Sequence, residues 1–140
     1  MSMFKVFDVA GSALSAQSLR LNVTASNMAN ANSVSSSVDE TYRARQPVFA
    51  AMLKDHFGSQ QGKSSVGVEV KGIVESQAPL QAQYNPGHAL ANEDGYIFLP
   101  NVNVVEEMAN MISASRSYQS NVEVVNTAKQ LMMRTLSMGQ

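Results

Sequence analysis

Both ends of this 140-residue chain repeat large apolar side chains every seven positions, a spacing that a long helix turns into a continuous face. From Asn103 to about Ser137, Val104, Met111, Tyr118, Val125 and Met132 form one series, and Met108, Val122 and Leu136 stand four places after its members. Ser115 and Lys129 hold the two remaining places of the second series, so the seam is interrupted and does not specify a simple two-stranded coil. Asn103 with Glu106 matches a capping box, and Glu106 and Glu107 at the start with Lys129 and Arg134 toward the end suit the helix dipole. Near the other terminus Phe7, Leu14, Leu21 and Met28 repeat in the same way, widened by Met3, Phe4, Ala10, Ala13 and Ala25. Residues 3 to about 31 contain no Pro and a single glycine, Gly11, and Asn30, Asn32 and Ser33 suit a helix end. At ~1.5 Å per residue the two helices reach roughly 40 and 50 Å.

The middle of the chain changes period. Val66, Val68 and Val70 alternate with Gly67, Glu69 and Lys71, and the pattern runs on through Ile73 and Val74 as a strand, with residues 42–53 as its expected partner. The Gly-, Ser- and Gln-rich run 58–65 reads as a flexible hairpin loop, and 34–40 as an irregular linker. Asn85-Pro86-Gly87 and Glu93-Asp94-Gly95 are turn signals, followed by a strand-like Tyr96–Leu99. The expected fold is therefore mainly α with a small β region. Long N- and C-terminal helices pair as a coiled-coil-like unit around an intervening β-hairpin or extended segment. Its parts are residues 1–33, the N-terminal helix of a core helical domain; 34–102, a linker and small β-rich region; and 103–140, the C-terminal helix of the same domain.

Two helices cannot enclose two wide apolar stripes by packing on each other. Burial of one Leu, Phe or Met side chain is worth about 1.5–3 kcal/mol, so a stripe left open drives association. The sequence thus predicts assembly with copies or relatives through Phe7, Leu14, Leu21, Met28, Val104, Met108, Met111, Tyr118, Val122, Val125, Met132 and Leu136. Charge is scarce as well: 15% of residues, and only Lys5, Asp8 and Arg20 up to Ala31. Neutral Ser, Asn and Gln on the backs of the helices can enter a polymer without the desolvation cost of an ion.

The same inventory leaves little room for other chemistry. A net charge of -1 argues against nucleic acid as a partner. The absence of cysteine excludes disulfides and thiolate metal sites, and no run of ~20 apolar residues is present to span a bilayer. The polar residues Lys5, Asp8, Ser12 and Gln17 interrupt any cleavable signal at the N-terminus. His56 and His88 are isolated, and His88 reads as an exposed turn residue. Asp39-Glu40, Glu93-Asp94 and Glu106-Glu107 read as solvated loop and cap residues. No nucleophile elbow or phosphate-binding glycine loop occurs, so no catalytic residue, cofactor, metal or small-molecule substrate is expected. Asn27 and Asn30, with Asn121 and Asn126, read either as polar shoulders and a C-cap or as register-setting hydrogen bonds between subunits. Arg116 is either a solvated helix residue or the partner of an acidic group on a neighbour.

Residues 7–14 with Ala16-Gln17 and Arg20-Leu21-Asn22, then Ala25-Ser26-Asn27-Met28-Ala29-Asn30-Ala31-Asn32-Ser33, resemble the N-terminal signature of flagellar rod and hook proteins. Residues 101–108 and 113–121, which include Arg116 and Asn121, resemble the C-terminal signature. Tyr42-Arg43-Ala44-Arg45-Gln46, Tyr84-Asn85-Pro86-Gly87-His88 and the Gly95 to Pro100 stretch are similar to the proximal-rod subtype, and the short middle region sets the chain apart from hook, distal-rod and filament proteins. The resemblance implies a structural subunit of the periplasmic drive shaft that carries motor torque to the hook and is required for motility. It further implies export through the flagellar type III apparatus without signal cleavage. The implied partners are rod subunits of the FlgB, FlgF and FlgG types, the small rod adaptor protein at the base, and copies of the chain itself. A coiled-coil adaptor or secretion chaperone would use the same stripes without polymerising; a wall hydrolase would need a placed carboxylate that the sequence does not display.

Overall fold

The computed structural model describes residues 3–54 and 64–139, which form two helices and two small sheets. Helix α1 spans Met3–Asn30 and helix α2 spans Val104–Met138, about 42 and 52 Å long at the standard rise. Each begins or ends where its cap residues stand. Asn103 is extended at φ -96° and ψ 106°, and its Oδ1 accepts from the N–H groups of Val105 at 3.1 Å and Glu106 at 3.4 Å. At the end of α1, Ser33 donates to the Asn30 carbonyl from both its N–H, at 3.0 Å, and its Oγ, at 2.8 Å.

Strand β1, Arg45–Lys54, pairs antiparallel with β2, Ser64–Glu75, from Arg45 opposite Glu75 to Lys54 opposite Ser64, with register breaks at Val48/Phe49 and Met52/Leu53. The expected partner strand thus begins three residues later than its sequence pattern, because the Ala44 N–H is taken by a side chain: it donates to Asn101 Oδ1 at 2.8 Å. Of the expected flexible run, 58–63 lies outside the described residues, and Ser64 and Ser65 belong to β2.

A second hairpin pairs β3, Gln81–Tyr84, with β4, Tyr96–Leu99. Its turn carries Gly95 at φ +80°, a left-handed conformation suited to glycine, and Asn92 Oδ1 accepts from the N–H groups of Asp94 at 3.1 Å and Tyr96 at 2.8 Å. β3 was not expected from the sequence, since Gln-Ala-Gln-Tyr alternates over only four residues, without a β-branched side chain, and all four are exposed. Part of the linker also joins this sheet: Ser35 exchanges hydrogen bonds of 3.0 and 3.1 Å with Phe98.

The helices run antiparallel, with Arg20 Nη2 donating to Asn110 Oδ1 at 2.9 Å near one end and Val6 sharing a groove with Ala128 and Leu131 near the other. The first sheet lies against α1, and Ser12 marks the contact. Its Oγ donates to Val9 O at 2.8 Å and accepts from the Val68 N–H at 3.1 Å. Gly67 closes this contact, since a Cβ there would stand 2.6 Å from Ser12 Oγ.

Candidate assembly surfaces

The interior of the described chain is made of small and polar groups. Its buried apolar residues are Ala10, Ala16, Val23, Ala31, Ala44, Ile97, Ala114 and Ala128, and the largest side chain exposed by less than 2% is the polar one of Asn27. One series of buried or half-buried positions on the α1 side of α2 is Glu107, Ala114, Asn121 and Ala128, spaced by seven, with half-buried Asn110 beside it. The matching series on α1 is Ala10, Gln17, Thr24 and Ala31. Thr24 lies at the level of Glu107 and Ala10 at that of Asn121, each pair lining one cavity, and the same spacing carries Gln17 to the level of Ala114, which is 0% exposed. Alanine opposite a polar side chain lets two helices approach closely, but it removes little apolar area from water.

The heptad series of large residues is offset from this seam. Phe7, Leu14, Leu21 and Met28 on α1, and Met111, Val122, Val125 and Met132 on α2, are half-buried. Val104, Met108, Tyr118 and Leu136 are exposed, Met108 at 49% and Leu136 at 68%. Val105, Ile112, Leu131, Met133 and Met138 extend the open surface along α2, and a groove of about 510 Å³ runs between Val6 and the Ser120–Leu131 stretch. The β1–β2 ribbon adds Val48, Phe49, Ile73 and Val74, also exposed.

Asn27 acts inside the chain. Its Nδ2 donates to Arg45 O at 2.8 Å, while its Oδ1 accepts from the Arg45 N–H at 2.9 Å and from Tyr42 Oη at 2.8 Å. One amide therefore satisfies both backbone groups of the first β1 residue, as a neighbouring strand would, and fixes the hairpin to the end of α1. The Arg45 guanidinium lies 5.4 Å from the Tyr42 ring centroid and completes the cluster. Asn30 and Asn121 each donate to the carbonyl four residues earlier, Ser26 and Ser117, at 2.8 Å. Arg116 is exposed and forms no ion pair among the described residues.

Two residues gain importance that the sequence did not assign them. Asn101 gathers three strand-end groups: it accepts from the Ala44 N–H and donates to Ser76 O at 3.3 Å and Ala78 O at 2.8 Å. Glu107, expected as a solvated cap residue, is only 7% exposed, because the first turn of α2 points it at α1 and β1. His88 sits in a turn and accepts the Leu90 N–H on Nδ1 at 3.1 Å, and His56 lies outside the described residues. Among the described residues no helix is long and apolar enough to cross a membrane.

The sequence matches two family models. One, described as flagella basal body rod protein, covers residues 7–35; the other, described as flagellar basal body rod FlgEFG protein C-terminal, covers residues 93–138. The chain is 53% identical to the flagellar basal-body rod protein FlgC of Yersinia enterocolitica and 51% identical to that of Salmonella typhimurium. It is 42% identical to the one of Buchnera aphidicola subsp. Schizaphis graminum, and each alignment spans 100% of both chains.

Proposed function

Since the chain belongs to the FlgC family of flagellar basal-body rod proteins, and is thus a structural subunit of the proximal rod and not an enzyme, we propose how its surfaces build that rod. The large heptad residues of both helices are the contacts between subunits, while the small and polar seam holds the two helices of one subunit together. The observation that supports this division is the mismatch between the buried positions, mostly alanine, and the exposed ones, which include Val104, Met108, Tyr118 and Leu136. Half-covering four such side chains at a neighbour contributes about 1 kcal/mol each. Repeated around an array, that sum holds a shaft together without strong ion pairs.

The two helices, residues 1–33 and 103–140, are the packing unit, and 34–102 is the brace between adjacent subunits. Asn27 ties that brace to α1, and Asn101 gathers its strand ends just ahead of the Asn103 cap of α2, so load applied to the ribbon passes toward the helices instead of bending the linker. The neighbours are rod subunits of the FlgB, FlgF and FlgG types, copies of the chain, and the small adaptor protein at the base. The rod so formed crosses the periplasm, and the subunit reaches it through the flagellar type III apparatus without a cleaved signal.

Met108→Asp tests the reading. The side chain is 49% exposed, so the isolated variant should keep its helix content, while a charge placed in a subunit contact should stop rod completion and swimming. Normal swimming of cells that carry only this variant would remove the face from the interface.

A further inference from the structure

The β1–β2 ribbon is fastened to α1 at two places that differ in kind. Asn27 grips Arg45, the first residue of β1, by both of its backbone groups. Ser12 grips the other strand, accepting the Val68 N–H at 3.1 Å. Its hydroxyl proton is committed to Val9 O at 2.8 Å, which leaves a lone pair turned to the ribbon. A serine bonded back to its own helix is neutral to unfavourable in a helix interior, so what Ser12 contributes lies in the ribbon contact. Gly67, next to Val68, weakens the strand it stands in, yet a Cβ there would lie 2.6 Å from Ser12 Oγ and 3.3 Å from Ser12 Cβ. Each residue is a poor choice for its own element and a good one for the other.

The two fastenings are matched in length. Ser12 and Asn27 lie 15 residues apart on α1, about 22 Å at 1.5 Å per residue. Arg45 and Ala51, the partner of Val68, lie six residues apart on β1, about 20 Å at 3.3 Å per residue. The ribbon therefore runs lengthwise along the helix, β1 opposite in direction to α1, with a different strand fastened at each end. Both register breaks place their extra residue on β2, Lys71 between Val70 and Gly72 and Val66 between Ser65 and Gly67. Bulges bend a strand and sharpen its twist, and such bends let one helix meet β1 at one end and β2 at the other. The exposed Val48, Phe49, Ile73 and Val74 all lie between the two fastenings.

We propose that Ser12 and Gly67 are positioning residues: with Asn27 they form a two-point clamp that sets the direction of the ribbon on α1, and so the aim of its exposed apolar residues at the adjacent rod subunit. The proposal rests on the reading of residues 34–102 as the brace between subunits. Asn27 supplies most of the attachment, with three hydrogen bonds at its end. The single Ser12 bond adds little cohesion and fixes the angle. A swing of about 10° around the Asn27 end moves the far end by roughly 3 Å over that length, and a gap of about 1 Å already forfeits up to half of a packing contact.

The chain has no cysteine, so Ala29→Cys on α1 and Ala51→Cys on the ribbon, both exposed, carry one defined pair of spin labels. In the isolated parent chain their distance should form one narrow distribution. Gly67→Ala removes the room and Ser12→Ala removes the bond. Each should shift that distribution or at least double its width while helix content stays that of the parent, and without labels each should enter basal bodies purified from cells at least tenfold less. Gly72→Ala, on the same ribbon, adds a Cβ that meets nothing within 4 Å and should change neither readout. An unchanged distance in Ser12→Ala, which adds no atom and so cannot fail for lack of space, would overturn the clamp whatever Gly67→Ala does. So would a loss of helix content that accounts for the poor incorporation. A shifted distance with normal incorporation would instead overturn the brace reading and leave the clamp standing.

Discussion

Replacing Asn27 by alanine removes the most completely buried polar side chain among the described residues, 1% exposed, and three hydrogen bonds of 2.8–2.9 Å with it. At about 1 kcal/mol net for each bond the expected loss is about 3 kcal/mol, held near that figure because Arg45 lies partly open to water that can replace some of it. With a urea m-value of about 1.5 kcal/mol/M, this lowers the unfolding midpoint by about 2 M, readable by circular dichroism on the isolated chain. Amide exchange at Arg45 should accelerate in parallel, since its N–H loses its acceptor. Two further variants sort the causes. Tyr42→Phe removes only the hydroxyl bond and should cost about 1 kcal/mol. Asn27→Asp keeps an acceptor for the Arg45 N–H but sets a second carboxylate oxygen against the Arg45 carbonyl, where the amide nitrogen stood at 2.8 Å, so it should be no better than alanine. A loss of under about 0.5 kcal/mol for Asn27→Ala, or an aspartate variant as stable as the parent, would refute the latch.

Two smaller perturbations probe the other tethers. Asn101→Ala frees the Ala44 N–H and the carbonyls of Ser76 and Ala78, and should cost about 2 kcal/mol, with faster exchange at the Ala44 amide as its signature. Gly95→Ala forces a side chain onto a residue at φ +80° and places a Cβ 2.9 Å from Tyr84 Cε2. It should cost about 1–2 kcal/mol and disturb the edge-to-face pair of Tyr84 and Tyr96, now at 5.3 Å, in the near-ultraviolet circular dichroism.

The two long helices were legible because seven-residue spacing sustained over four or five repeats has no other regular solution. Their ends were legible too, since Asn103 and Ser33 act locally. The partner of each face was not. A search for large apolar residues finds the stripe through Met111, Tyr118 and Val125, but the helices meet through Glu107, Ala114, Asn121 and Ala128, which such a search passes over. Small residues mark close approach only once the partner helix is in place. For the same reason the tethering roles of Asn27, read as a polar shoulder or C-cap or as a register-setting bond between subunits, and of Asn101, for which the sequence suggests no role of its own, were not legible: their partners include backbone groups far along the chain, and a backbone carbonyl leaves no trace in a side-chain pattern. β3 escaped because an alternation of four residues, all exposed, is too short to mark a strand until the neighbouring β4 is in place.

Methionine oxidation compares the free and assembled subunit most directly. Met108, Met133 and Met138 are 49%, 62% and 85% exposed in the single chain, so dilute peroxide should oxidise all three readily in the isolated protein. In purified rods Met108 and Met133 should react at least tenfold more slowly, as neighbours cover them. Equal rates in the two states would mean that the open faces of α2 stay wet in the rod, and that something other than these side chains holds it together.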